Sequence, residues 1–164
     1  MTEEIKNAIV KEINNKLNEN GVTADSNANS LFHFTKADKN GYEMAFTFSD
    51  IITIFNIVRK HMSDLDEKEI RINFGDEGGS YGGDASLTSI ADNGKSITLD
   101  GDSDSTGDTE DTEDALTAKD IIEHNASNTN MEVYLANMDE GGDYGTYRMM
   151  TLIYFDKNGK IYFD

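Results

Sequence analysis

The chain has 164 residues, and a chain of that size buries roughly 70% of its unfolded surface and needs no metal or disulfide to fold as one domain. It contains no cysteine, which excludes a disulfide, a thiolate zinc site and a cysteine nucleophile. Thirty-two acids against fourteen bases give a net charge of −18, which argues against direct binding to nucleic-acid phosphate or to an anionic membrane.

Residues 2–20 predict an amphipathic helix. Ile5, Ile9, Ile13 and Leu17 recur every fourth residue, Thr2 can cap the start, and Gly21 can supply a left-handed stop. Residues 22–29 are small and polar and read as a loop. Residues 31–48 predict a β-hairpin: Phe32 and Phe34 alternate on one arm, and Tyr42, Met44, Phe46 and Phe48 on the other. Asp38-Lys39-Asn40-Gly41 forms the turn between them. Ser49 is then placed to cap a second helix over 50–62, rich in isoleucine.

Ile70, Ile72 and Phe74 alternate with polar residues as a strand, and the glycine-rich stretch 75–84 follows as a loop. Leu87 to Ile90 and Ser96 to Leu99 flank Asp92-Asn93-Gly94 as a second hairpin. A short helix over 118–125 is announced by Thr117 as cap, Asp120 three residues later, and Leu116 with Ile121 as a staple. Residues 131–137, 146–155 and 160–163 predict strands, the last two joined by Asp156-Lys157-Asn158-Gly159. The predicted fold is a single α+β domain over 1–164. It has a mainly antiparallel sheet, an N-terminal amphipathic helix, a second helix and a short third one.

The acids are not spread evenly. Residues 1–62 carry eight acids and seven bases, whereas 63–164 carry twenty-four acids and seven bases. The densest run holds eight acids in fifteen residues with no base: Asp100, Asp102, Asp104, Asp108, Glu110, Asp111, Glu113 and Asp114. Two further acidic loops carry Asp76, Glu77 and Asp84, and Asp139, Glu140 and Asp143. Such runs repel themselves and attract cationic surfaces. Duplex DNA presents about one charge per 1.7 Å, so rows of carboxylates can occupy a channel lined with lysine and arginine. Tyr81 and Tyr144 lie in these loops as contact anchors.

Residues 102–113 also match the oxygen-ligand spacing of an EF-hand loop. Asp102, Asp104, Thr106, Asp108 and Glu113 would be the calcium ligands, with glycine at 107. Against this, the preceding segment reads as a strand where an EF-hand has a helix. A solvated spacer is the third reading of the run. No catalytic motif is found. His33, His61 and His124 sit on separate elements without zinc spacing, the glycine-rich loop lacks the Lys-Ser/Thr ending of a phosphate cradle, and no Gly-x-Ser-x-Gly elbow occurs. The start lacks a basic-then-apolar leader, so the chain is read as cytoplasmic.

Val133-Tyr134-Leu135-Ala136-Asn137 resembles the opening strand of the ArdA antirestriction proteins, which are acidic DNA mimics of mobile elements; the likeness covers five residues. In size, acidity and lack of cysteine the chain also resembles phage anti-CRISPR and antirestriction inhibitors, and immunity proteins that neutralise toxin nucleases. The resemblance implies a stoichiometric, non-enzymatic inhibitor without a cofactor, whose partner is a basic nuclease or nucleic-acid-binding protein. The alternatives are a calcium-binding module and an acidic phage structural or assembly protein.

Overall fold

The computed structural model describes residues 1–73, 84–102, 115–137 and 146–164. These form three α-helices and nine strands in one sheet, an α+β fold as the sequence predicts.

Helix α1 (Glu3–Leu17) starts where the sequence placed it. The Thr2 hydroxyl accepts from Ile5 N, and Ile9, Ile13 and Leu17 are buried. A 3-10 turn follows and ends at Gly21 with φ +84. A Cβ there would lie 2.2 Å from the Ala37 carbonyl oxygen, so only glycine lets the two backbones approach. Residues 22–25 are not loop. They form edge strand β1 (Val22–Asp25), antiparallel to β2 (Ser30–Lys36), because Val22 and Ala24 have a buried face to cover.

The second predicted hairpin arm is also corrected. The Asp38–Gly41 turn forms, with Asp38 Oδ1 accepting from Asn40 and Tyr42 N. The chain beyond it makes only isolated bridges, at Ala37↔Glu43 and Thr47↔Glu132, and Phe46 inserts between Val133 and Met150. Tyr42 and Met44 are exposed, so half of the alternating pattern faces water. Phe48 belongs to helix α2 (Phe48–Arg59), and its cap is Thr47 in place of Ser49. Thr47 and Asp50 satisfy each other's backbone N–H groups as a capping box, which Ser49 cannot do with Ile52 three residues on.

Strand β3 (Ile70–Asn73) precedes the hairpin of β4 (Asp84–Asp92) and β5 (Ser96–Asp102), whose turn holds Gly94 at φ +81. Helix α3 (Ala118–Glu123) has the predicted Thr117–Asp120 capping box. Strand β6 (Glu132–Asn137) follows. The predicted strand 146–155 is two strands, β7 (Thr146–Met149) and β8 (Leu152–Asp156), and β9 (Ile161–Phe163) closes a hairpin with β8.

The sheet order is β1-β2-β8-β9-β3-β4-β5-β6-β7, antiparallel except at β9-β3 and β5-β6. Strand β8 is third and β7 ninth, yet only Met150 and Thr151 separate them. In a flat sheet they would lie about 29 Å apart, while the link spans at most about 11 Å. The sheet therefore curls strongly. Arg148 on β7 shares a face with Leu135, and its guanidinium reaches across the curl to the Asn73 carbonyl and the Asp164 carboxylate.

The inner face is the core. Phe55 of α2 packs against Phe155 and Phe163, and Phe155 meets Phe32 and Phe34 edge-on. One ion pair is buried there: Lys36 Nζ lies 2.7 Å from Asp50 Oδ2, with the residues 5% and 1% exposed. Asp50 also accepts from Thr47 N and Asn20 Nδ2. On the outer face Tyr154 and Tyr162 stack at 4.7 Å. Burial and then the neighbouring Tyr162 push the Tyr154 phenol up to about 12.

A phenol whose folded pKa is raised contributes stability that is complete below its unfolded value and is lost as pH rises through the folded one. Tyr154 is thus expected to weaken the fold between about 10 and about 12. Ultraviolet difference titration against Tyr154→Phe checks this; a difference midpoint near that of free tyrosine contradicts it. No helix among the described residues is long and apolar enough to cross a membrane.

Candidate functional site

The strand directions bring most of the strand ends that flank the acidic segments to one end of the sheet. β3 ends where β4 begins, with Asn73 opposite Asp84. β5 and β6 run parallel and finish together, Gly101 beside Asn137, and β7 starts opposite, Thr146 beside Asn137. β9 runs parallel to β3 and also ends here, so Asn73 Nδ2 donates to the Asp164 carboxylate. Segments 74–83 and 138–145 therefore leave and rejoin the described structure at this end, whereas segment 103–114 leaves it here after Asp102 and rejoins just before Leu116, which bonds to Leu87 and to Ile70 at the start of β3. In chain order the three segments contain two, six and three acids and no base.

Asp76, Glu77, Asp104, Asp108, Glu110, Asp111, Glu113, Asp114, Asp139, Glu140 and Asp143 lie outside the described residues, as do Thr106, Tyr81 and Tyr144. Three predicted acids fall on strands. Asp100 and Asp102 belong to β5, and Asp100 is half-buried on the outer face. Asp84 is the first residue of β4 and not a loop acid. Arg71 grips it with Nε 2.7 Å from Oδ2 and Nη2 3.4 Å from Oδ1. The pair neutralises Asp84, and Arg71, 7% exposed, also donates to the Ser86 hydroxyl. Asp84 is therefore part of the scaffold beneath the acidic end.

For calcium, the strand predicted before Asp102 is β5 itself, so an EF-hand's entering helix does not occur there. Asp104, Thr106, Asp108 and Glu113 lie outside the described residues, and among the described residues no three His, Asp or Glu side chains gather to hold a metal ion. Of the histidines, His33 lines a cleft described below and His61 lies just past the end of α2. His124 follows α3 as its C-cap and packs edge-on against Phe48 at 5.8 Å.

The described surface holds two features that no sequence motif marked. One is a cleft of about 700 Å³ at the β7–β8 link, lined by His33, Glu43, Met149, Leu152 and Asp164 among others. The second, about 530 Å³, lies beside a tyrosine pair: Tyr134 and Tyr147 stack at 5.0 Å and 5°, and the Tyr134 hydroxyl donates to Glu132 Oε2 at 2.9 Å. That carboxylate, followed by partial burial, raises the Tyr134 pKa. The signal for the pair lay in the alternation of 131–137 and 146–149, but the register that stacks the rings is a property of the sheet. No family model matches the chain, and neither curated proteins nor solved structures give a match.

Proposed function

We propose that the protein is a stoichiometric inhibitor, not an enzyme. It binds a basic, nucleic-acid-handling protein, such as a CRISPR effector, a restriction enzyme or another nuclease, through an acidic surface that stands in for nucleic acid. The observation that supports this reading is that segments 74–83 and 138–145 are anchored at one end of the sheet and that segment 103–114 leaves from the same end. Strands β3 to β7 follow a curved path of about 19 Å at the usual spacing. A duplex of that length carries about eleven charges, and the segments hold two, six and three acids with no base between them. Their charge matches that of the ligand they would displace.

The test is competition. A basic nuclease is assayed on duplex DNA while the protein is titrated in at low and at physiological salt. Cleavage is expected to stop near one equivalent, with a weaker effect at higher salt, because steering between opposite charges is screened. The protein itself is expected to leave labelled DNA unshifted in a gel. Tight DNA binding by the protein alone contradicts the reading, and so does undiminished cleavage at large excess across CRISPR, restriction and toxin nucleases.

A further inference from the structure

Strand β7 has one bonded edge and one open edge. It is last in the sheet order and, among the described residues, pairs only with β6. Met150 N donates to Val133 O, which fixes the alternation: Arg148 and Thr146 turn their backbone groups toward β6, and Tyr147 and Met149 turn theirs outward. Among the described residues nothing pairs with those groups. Edges are usually protected by lysine, proline, a bulge or an inward-pointing charge; Thr146–Met149 has no lysine or proline, and its one charge, Arg148, is bonded inward to Asp164. Its two outward residues are instead large and apolar, Tyr147 at 61% and Met149 at 41% exposure.

The surroundings select what can sit there. On one side is the cleft with exposed Glu132 beside the tyrosine pair; on the other is the cleft with exposed Glu43 and with Asp164. The cations that line the second cleft are engaged, Arg148 with Asp164 and Lys36 with Asp50. Lys95 lines the first cleft and opposes. Tyr134 covers one face of the Tyr147 ring, and the exposure of Tyr147 leaves the other for a guanidinium or ammonium group. A second copy of the chain would bring another −18 to the same edge.

We propose that β7 receives an extended, lysine- or arginine-bearing segment of the partner as an added strand. Its backbone bonds to Tyr147 and Met149, and its cations meet Tyr147, Glu132 and Glu43. This rests on the reading that the partner is basic, and it adds where and in what conformation the partner is held.

The probe is a short peptide of alternating arginine and valine, with the glutamate–valine peptide as control. Binding to the whole chain is followed by fluorescence anisotropy at low salt. Met149→Pro removes one outward N–H and blocks the edge without touching a bond to β6. It is expected to weaken arginine–valine binding about tenfold, the loss of a backbone bond and the steric block together. Backbone N-methylation of the peptide, which leaves the protein unchanged, is expected to do the same, and Tyr147→Ala is expected to weaken binding less.

Binding that survives both Met149→Pro and N-methylation overturns strand addition and leaves the acidic reading standing. Failure of every arginine-bearing peptide to bind at low salt overturns both. Equal binding of the glutamate–valine peptide overturns the choice of a basic segment. A dimer in sedimentation that Met149→Pro dissolves shows that the edge belongs to a second copy, and also overturns it.

Discussion

Asp50→Ala is expected to destabilise the fold by about 3–5 kcal/mol, read as a lower midpoint of urea unfolding with an unchanged slope. The carboxylate is 1% exposed and receives the Lys36 ammonium, the Thr47 N–H and the Asn20 amide. Its removal leaves a buried cation without a partner, breaks one half of the α2 capping box and unties Asn20 of the 3-10 turn that links α1 to β1. Lys36→Met alone leaves Asp50 buried and unpaired, and is expected to cost a similar amount. Combining Lys36→Met with Asp50→Ala takes both charges out of the core and is expected to recover part of the loss. If each single change costs less than about 1 kcal/mol, the range of an exposed pair, water reaches this site and the pair is not the anchor described above.

Changing Asp108, Glu110, Asp111 and Glu113 together to Asn or Gln is expected to slow association with a basic partner by about tenfold or more at low ionic strength. It should also flatten the dependence of that rate on salt. The melting temperature is expected to hold or rise, because neutralising four of the six acids in 103–114 relieves repulsion within one segment. Stopped-flow measurement with the inhibited nuclease gives the rate, and calorimetry gives the melting temperature. An unchanged association rate removes segment 103–114 from the binding surface. A fall in melting temperature with slower association instead assigns the segment to the fold.

The readable parts of this fold were those whose cause is local. Thr2 with its isoleucine spacing marked α1, and Thr117 with Asp120 marked α3. The two Asp-Lys-Asn-Gly turns and Asp92-Asn93-Gly94 each bend where expected, with Gly41, Gly159 and Gly94 all at positive φ. The α2 start was misplaced by two residues although Thr47 and Asp50 carried the capping signal, because Phe48 fitted a run of alternating apolar residues. The same alternation made a strand of Tyr42–Phe48, although only Phe46 and Phe48 of its four marked residues are buried. Strand β1 offered only Val22 and Ala24 as a pattern, too short to outweigh its polar neighbours.

The parallel pairs β9-β3 and β5-β6 join residues far apart in sequence, so no local rule announces them. The acidity of the candidate surface was plain in the composition. The anchoring of two acidic segments at one end of the sheet, and the departure of the third from it, depends on those same pairs. Asp84 shows the limit of counting charges: the residue sat in an acidic stretch, but the arginine that neutralises it is thirteen positions away on the neighbouring strand.

The short link at Met150 and Thr151 also sets how the protein can come apart and form. One continuous segment serves the far edge of the sheet through β7 and its interior through β8, so the two-residue link ties the ninth strand to the third. The third and fourth strands in space are the last two in sequence, and they hold β2 to β3. During synthesis, β2 can pair with β1 and β3 with β4, but the second partner of each emerges about a hundred residues later, at Asp156 opposite Ser30 and at Ile161 beside Ile70. Joining β1-β2 to the rest of the sheet is therefore a late, long-range step in its folding.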